Sequence, residues 1–376
     1  MSRPRLAVIG ASHPLTSGAA QFNDAMVAAL RRRVPVEFLS WRRLYPPLLH
    51  RGDGVDRQSR PPRVEESEFL LDWLDPRTWR RAIARVEAFG ADAVVLPWLH
   101  PVMAPPYRFL LTRLRTRRRV VICHNVELHE RVPLARPLTR STLRHADVLV
   151  THAPQMRDDL AALGLRPASV VDAFHPRFVA AELAEQPDAA AVAAERRRLG
   201  DPELLLLAFG AVRPYKGIDL ALEALAHVDP GLGVKLVVAG KFWHGTREYE
   251  ELVARLRLRD RVELDDRFVP NEDAALLFAA ADAALLPYRS ATQSGVAQLA
   301  FGHGKPVIAT SVGGLPSAVR DGVDGVLCPP GDARALAAAI ERFTRERRRL
   351  TAGVEADAEA ASFDRYAELL VEAVAA

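Results

Sequence analysis

A short apolar run that breaks at a glycine, meets two cations and then turns amphipathic leaves this chain few folds to choose from. From Leu204 it reads LLLLAFGAVRPYKGIDLALEAL. Leu204 to Phe209 is wholly apolar, the pattern of a strand buried on both faces of a parallel sheet. Gly210 permits a sharp backbone turn, Arg213 and Lys216 follow just past the strand's carboxyl end, and Ile218 opens a helical pattern. Ligands of open α/β sheets bind outside the carboxyl ends of the strands. Two cations placed there suit a diphosphate better than a neutral metabolite. The plainer alternative is a pair of solvated loop charges.

Strand and helix patterns alternate on both sides of this run. In the first half LAVIG (6–10), VEFLS (36–40), AVVLPWL (93–99), RRVVICHN (118–125), ADVLVTH (146–152) and SVVDAF (169–174) read as strands. Phe22 to Leu30 and Trp79 to Phe89 have helical spacing, and residues 42–63, rich in Pro and Arg, read as an irregular loop. RFLLTRLRTRRR (108–119) reads as a basic amphipathic helix that either packs on the sheet or touches anionic lipid. The second half repeats the alternation with VKLVVAG (234–240), RVELDD (261–266), AALLPY (283–288), KPVIAT (305–310) and GVLCPP (325–330). The expectation is an α/β chain of two doubly wound, Rossmann-like domains facing a cleft. Residues 1–178 form the first domain, 179–202 an Ala- and Glu-rich linker, 203–362 the second domain, and 363–376 a helix that packs back on the first.

Composition narrows the function. With 376 residues, 49% of them hydrophobic and 26% charged, the chain has material for two cores and no sign of disorder. No apolar run is long enough to span a bilayer, and MSRPRLAVIGAS enters a strand without the features of a signal peptide. Cys123 and Cys328 lie apart in strand-like surroundings, which argues against a disulfide framework and for a reducing, cytoplasmic location. Residues 1–180 carry a formal charge of +11 and residues 181–376 carry −7. Either the first half meets an anionic partner, including the inner membrane face, or the arginine excess is compositional. No zinc-finger, RNP-type or basic-zipper pattern accompanies the charge, so nucleic acid is not an expected partner.

Three further segments hold candidate chemistry. In TQSGVAQ, Gln293, Ser294, Gly295 and Val296 lie where a loop enters a helix, and free amides at a helix start form an anion site. Ser294 is equally an ordinary N-cap. In CHNVELHE, His124, Asn125, His129 and Glu130 follow a strand, and His100 follows the neighbouring one. Histidines so placed can bind a sugar hydroxyl or phosphate, or move a proton. The spacing of His124 and His129 does not suit a helical metal site, and no HExxH occurs, so no metal is expected. Gly18, between the first strand and first helix, lacks the three-glycine dinucleotide fingerprint.

Taken together, FGAVRPYKGIDLALEAL, GKPVIATSVGGLPSAVRDGVDGVLCPPGD and HNVELHE with WLHPVMAP resemble the GT-B nucleotide-sugar glycosyltransferases of the retaining group 1 family, glycosyltransferase family 4. The resemblance covers nearly the whole chain and is most specific in residues 204–332. It implies an acceptor-binding first domain and a donor-binding second domain, with a nucleoside-diphosphate sugar, a UDP-sugar by default, as co-substrate and no cofactor. Arg213 and Lys216 would neutralise the leaving diphosphate, and Gly210 would shape their loop. The amides around Ser294 to Val296 would hold the distal phosphate, and Phe268 and Val269 would frame the base. His124 matches the histidine beside the reacting sugar, and Gly18 the loop closing under the diphosphate. His100, Asn125, His129 and Glu130 would face the acceptor, a hydroxyl compound.

Two departures set this chain apart from that pattern. Alignment on Gly304–Lys305–Pro306 puts Ala291 and Leu299 where the family has paired glutamates; a one-residue shift offers Gln298 for the second. Ala211 stands where arginine directly follows the glycine, with Arg213 the nearest substitute. The readings open to the sequence are therefore an active, metal-independent retaining hexosyltransferase, a catalytically silent subunit that binds nucleotide or a partner, and a coupling enzyme joining a nucleotide-linked cyclitol to an amine.

Overall fold

The computed structural model describes residues 3–15, 18–46, 55–59, 67–127, 132–165, 169–178, 185–291 and 294–375. The chain divides into two compact units. One runs to Pro176 and recruits Ala361–Ala376; the other spans Arg177–Ala360 with a short segment at Gln58 and Ser59.

The first unit is built on seven parallel strands: β1 (Leu6–Ile9), β2 (Val36–Arg43), β3 (Glu68–Asp72), β4 (Ala93–Trp98), β5 (Arg118–Cys123), β6 (Val148–Thr151) and β7 (Ser169–Asp172). Their order is β3-β2-β1-β4-β5-β6-β7. Every residue of β1 and β4 is buried, as the apolar runs require. Pro97 does not interrupt β4, because β1 pairs with it only as far as Val8 opposite Val95. Helices α1 (Gly18–Arg31), α2 (Pro76–Phe89), α3 (Ala104–Arg113), α4 (Ala135–Leu143) and α5 (Pro154–Ala162) follow strands in turn.

One expectation needs correction here, and one strand is additional to those expected. Within 108–119 the helix stops at Arg113, because Arg118 and Arg119 enter β5 and Arg119 grips Asp147 through two bonds of 2.9 and 2.8 Å. β3 was not foreseen: EFLLD has helix-prone residues and no β-branched one, so only pairing with β2 makes it a strand.

The second unit repeats the architecture with β8 (Leu204–Phe209), β9 (Val234–Ala239), β10 (Val262–Asp265), β11 (Ala283–Leu286), β12 (Val307–Thr310) and β13 (Gly325–Cys328). Its all-parallel order is β10-β9-β8-β11-β12-β13. The helices are α6 (Ala189–Arg198), α7 (Ile218–His227), α8 (Arg247–Arg255), α9 (Asn271–Ala280), α10 (Gly295–Gly302), α11 (Leu315–Ala318) and α12 (Ala333–Ala356). α6 lies in the segment expected to be a linker. It packs on α9 through Arg196, which donates to the carbonyls of Ala280 and Pro202 at 2.8 and 2.6 Å. At the unit's start Arg177 is buried, donating to Val354 O at 2.8 Å and pairing with Asp324 and Asp357 at 3.2 Å.

The last helix, α13 (Phe363–Ala375), belongs to the first unit and packs on α1. Phe22 of α1 is fully buried and stands edge-on to Phe363 and Tyr366, with ring centroids 5.4 and 5.6 Å away. Arg33 adds ion pairs to Asp364 and Glu368 at 2.6 and 2.7 Å. These pairs are half exposed, so the aromatic burial provides most of the attachment. Cys123 and Cys328 are free and buried, and burial pushes their thiols up to about 12 and about 11.

Candidate active site

In the second unit the strand order reverses between β8 and β11, the switch point at which doubly wound sheets leave a crevice. Gly210, the first residue past β8, has φ +86°, and its neighbour across the sheet is another glycine. A side chain on Gly240 would come within 2.4 Å of Gly210 O, so the two loops touch backbone to backbone. The chain then makes one 3-10 turn, Pro214–Lys216, which Gly217 ends at φ +64°. A Cβ on Gly217 would lie 2.1 Å from Pro287 O, beyond β11. Glycine at 217 therefore lets the β8 loop close on the β11 loop.

That turn folds Lys216 back under the loop. Lys216 is 7% exposed, and its Nζ donates to Phe209 O at 2.8 Å. The ammonium lies 5.7 Å from the centre of the Tyr288 ring and 3.2 Å from where a Gly210 Cβ would be. Burial, reinforced by the nearby Arg213, pushes its pKa down to about 8. At neutral pH the lysine stays charged, but it is poorly solvated and holds one carbonyl. An incoming anion would meet a cation with unmet demand for negative charge.

The opposite wall comes from β11 and α10. Tyr288 is buried and hydrogen-bonded to Ser294, and burial raises its phenol well above the ordinary range. Thr310 Oγ1 donates to Tyr288 O at 2.5 Å and fixes that backbone. Ser294 caps α10 by accepting from Ala297 N at 3.2 Å. Val296 Cγ2 is 3.8 Å from the Gly210 Cβ position, while a Cβ on Gly295 would meet nothing within 4 Å. Gly210, Lys216 and Val296 thus converge, and a side chain at Gly295, the first residue of α10, would stand in open space. Gln293 lies outside the described residues.

Arg213 is half-buried with its guanidinium 4.3 Å over the Trp243 ring. Ala211 is exposed. Phe268, 39% exposed, and Val269, 9% exposed, follow β10, two strands from β8 and about 10 Å away by strand spacing. No contact joins them to Lys216 among the described residues. Ala291 is buried, and a Cβ on Gly313 would fall 1.4 Å from its carbonyl oxygen, so this backbone is packed for shape. Gln298 is buried on α10 and Leu299 is half-buried.

The first unit treats its candidates unevenly. His100 Nδ1 accepts from Val102 N at 3.1 Å as the cap of a short turn, and Asn125 Nδ2 donates to Leu99 O at 3.1 Å. The second bond ties the loop after β5 to the loop after β4. Gly18 is the exposed first residue of α1. His129 and Glu130 lie outside the described residues.

His124 turns inward: its ring stands edge-on to Phe22 at 4.6 Å, and its Nε2 is sealed from solvent without a hydrogen-bond partner. Burial, with a smaller contribution from His175, holds His124 down at about 3, and burial holds His175 at about 4. His124 is therefore a neutral imidazole at ordinary pH. His152, whose Nε2 is 2.8 Å from Tyr366 Oη, completes the cluster.

Sequence reasoning missed Trp243, Tyr288, His152 and His175. The last two carry the signal that picked out His100 and His124, a histidine just past a strand. Trp243 and Tyr288 also follow strands of the switch region. Among the described residues no three His, Cys, Asp or Glu side chains converge as a metal site would require. No described helix is long and apolar enough to cross a membrane.

Known proteins share both halves of this architecture. Residues 17–172 match the model of the glycosyl transferase 4-like domain, and residues 203–346 match that of the glycosyl transferases group 1. Together the two models take in well over half of the chain. The second unit is thus similar to the group 1 glycosyl transferases and the first to the glycosyl transferase 4-like domain. The chain is 39% identical over 197 residues to D-inositol 3-phosphate glycosyltransferase of Geodermatophilus obscurus, an alignment covering 49% of the chain and 43% of the relative. The enzyme of that name from Streptomyces griseus is 35% identical over 221 residues, covering 55% and 46%. The chain thus matches less than half the length of these curated relatives. In structure it is similar to HepE of Anabaena, solved in complex with UDP, at TM-score 0.71 and 17% identity over 99% of each chain. Sucrose-phosphate synthase of Thermosynechococcus elongatus gives 0.69 and 20% over 98% of each. These likenesses establish the GT-B fold, two Rossmann-like domains.

Proposed function

We propose that this chain is a group 1 glycosyltransferase that moves a sugar from a UDP-sugar to a hydroxyl acceptor, with retention at the anomeric carbon and without a metal ion. The observation that carries the reading is the buried Lys216 at the carboxyl end of β8, with Gly210 between its ammonium and Val296 in the first turn of α10. As the glycosidic C–O bond breaks, negative charge grows on the leaving diphosphate. A cation already stripped of water and amides already aligned stabilise that charge without reorganising. Arg213 supplies a second cation at the same loop. His124, held neutral and turned into the first unit, is not a proton source near neutrality. Phe268 and Val269 frame the base. HepE of Anabaena has been solved with UDP and with UDP-glucose, which supports a uridine nucleotide as donor.

Gly18, His100, Asn125, His129 and Glu130 belong to the acceptor side in this reading. The formal +11 of residues 1–180 favours an acidic acceptor or an anionic membrane face as partner. The silent-subunit alternative rests on Ala291 and Leu299, neither of which can bind a hydroxyl.

Thermal unfolding with a panel of nucleoside diphosphates and their sugars, in chelator, tests both. Stabilisation by uridine nucleotides alone, with release of UDP when an acceptor is added, supports the transferase. Stabilisation without turnover toward any donor selects the silent subunit, and no stabilisation by any nucleotide overturns the donor site.

A further inference from the structure

One large aromatic side chain at the carboxyl end of the second sheet is exposed where a core residue would be hidden. Trp243 is 45% exposed, yet its backbone is tied to the neighbouring loop. Trp243 N donates to Val212 O at 3.0 Å, and Val212 N donates to Lys241 O at 2.8 Å, so the β8 and β9 loops are laced together. Phe242, just before it in the chain, points into the core against Tyr249, and its N–H donates to Asp266 at 2.9 Å. This anchoring presents the indole outward beside the residue that precedes the Lys216 turn. Arg213 there is extended, φ −125° and ψ 158°, and its guanidinium covers the indole ring at 4.3 Å.

We infer that Trp243 is a positioning residue for the donor diphosphate, a platform that holds the Arg213 guanidinium at the mouth of the Lys216 loop. The inference rests on the diphosphate reading of that loop. Its physical basis is the reach of arginine. A cation directly after Gly210 would be aimed by the backbone turn itself, but Ala211 fills that place. Arg213 must reach the site from two residues further on, through a side chain with many rotamers. A flat aromatic face under a planar cation removes most of that freedom by stacking on the guanidinium's face and not through its edge. Trp243 touches no reacting atom in this role; it acts through Arg213.

The test is UDP affinity by calorimetry for the full chain and four variants: R213A, W243L, W243F and R213A/W243L. Leucine keeps apolar bulk at a surface position but has no π face, so folding is preserved while the platform is lost. The expected result is a loss of at least about tenfold for R213A, about three- to fivefold for W243L, and near-complete recovery in W243F. The double variant should bind no more weakly than R213A alone, because a platform without its cation has nothing to hold. Arg213 also presses the Lys216 pKa down, so W243L should move the alkaline fall in UDP affinity to higher pH, a shift that a packing role would not produce. Losses that add in the double variant, or W243L binding like wild type while R213A is weak, overturn the platform and leave the diphosphate site standing. R213A binding like wild type overturns both.

Discussion

Lys216→Met should make the protein more stable and much less active, and both magnitudes follow from the burial of one ammonium group. The native lysine is held at about 8 against an ordinary 10.5, mainly by loss of water. That difference corresponds to roughly 3 kcal/mol of unfavourable charge burial, at about 1.4 kcal/mol per unit. Methionine keeps the unbranched stem in the 7% exposed slot and abolishes this cost. It also strips Phe209 O of its 2.8 Å donor, which costs about 1–2 kcal/mol. The balance is a gain on the order of 1 kcal/mol, a rise of about 2–4 °C for a domain of this size. The sign follows from linkage: folded Lys216 gives up its proton near pH 8, the unfolded residue near 10.5. Charge burial therefore penalises the wild type fully below about 8, and the gap between the proteins closes toward 10.5. Turnover moves the other way. Loss of one preorganised cation at the leaving group should lower kcat by about 10²–10³, or about 2.7–4 kcal/mol. Urea unfolding at pH 7 and at pH 10, with donor turnover on the same samples, measures both arms. A variant that is less stable than wild type at pH 7 and turns over normally refutes the reasoning.

Further outcomes follow from the same geometry. Gly295→Ala places a methyl group in open space at the start of α10, so unfolding temperature should hold while UDP affinity falls at least about fivefold; an unchanged affinity would remove the α10 amides from the site. UDP binding favours charged Lys216 and so draws in a proton near pH 8; calorimetric affinity should decline steadily above that pH, and a flat profile to pH 9.5 would contradict it. In acid, His124 and His175 have folded pKa values depressed to about 3 and about 4, below the 6.5 of the unfolded chain. The unfolded state therefore takes up protons first, and stability drops as pH falls from about 6.5 to about 4. Buried Asp24, raised to about 6, opposes them in that range by taking a proton in the folded state, so His124→Gln should flatten the acid loss seen by urea unfolding.

The legible parts of this protein are those whose physics is local. Leu204–Phe209, Leu6–Ile9 and Val307–Thr310 announce themselves because a strand covered on both faces must be apolar throughout. The loop Gly210–Gly217 was readable because its glycines and cations are adjacent in sequence, and a parallel sheet fixes which end of a strand they occupy. Pairing between distant strands decided the rest. It made EFLLD a strand against its residue preferences, and it ended α3 at Arg113 because Arg119 is worth more beside Asp147 than on a helix. Tertiary structure alone buried Lys216 over Tyr288, laid Arg213 on Trp243 from 30 residues away, and turned His124 into a cluster with Phe22 and His175. Charge state, reach and solvation at a site belong to contacts between segments far apart in the chain. His152 and Tyr366, 214 residues apart and 2.8 Å from each other, show why: sequence specifies which groups are present, and only the fold sets how far each stands from water and from the next.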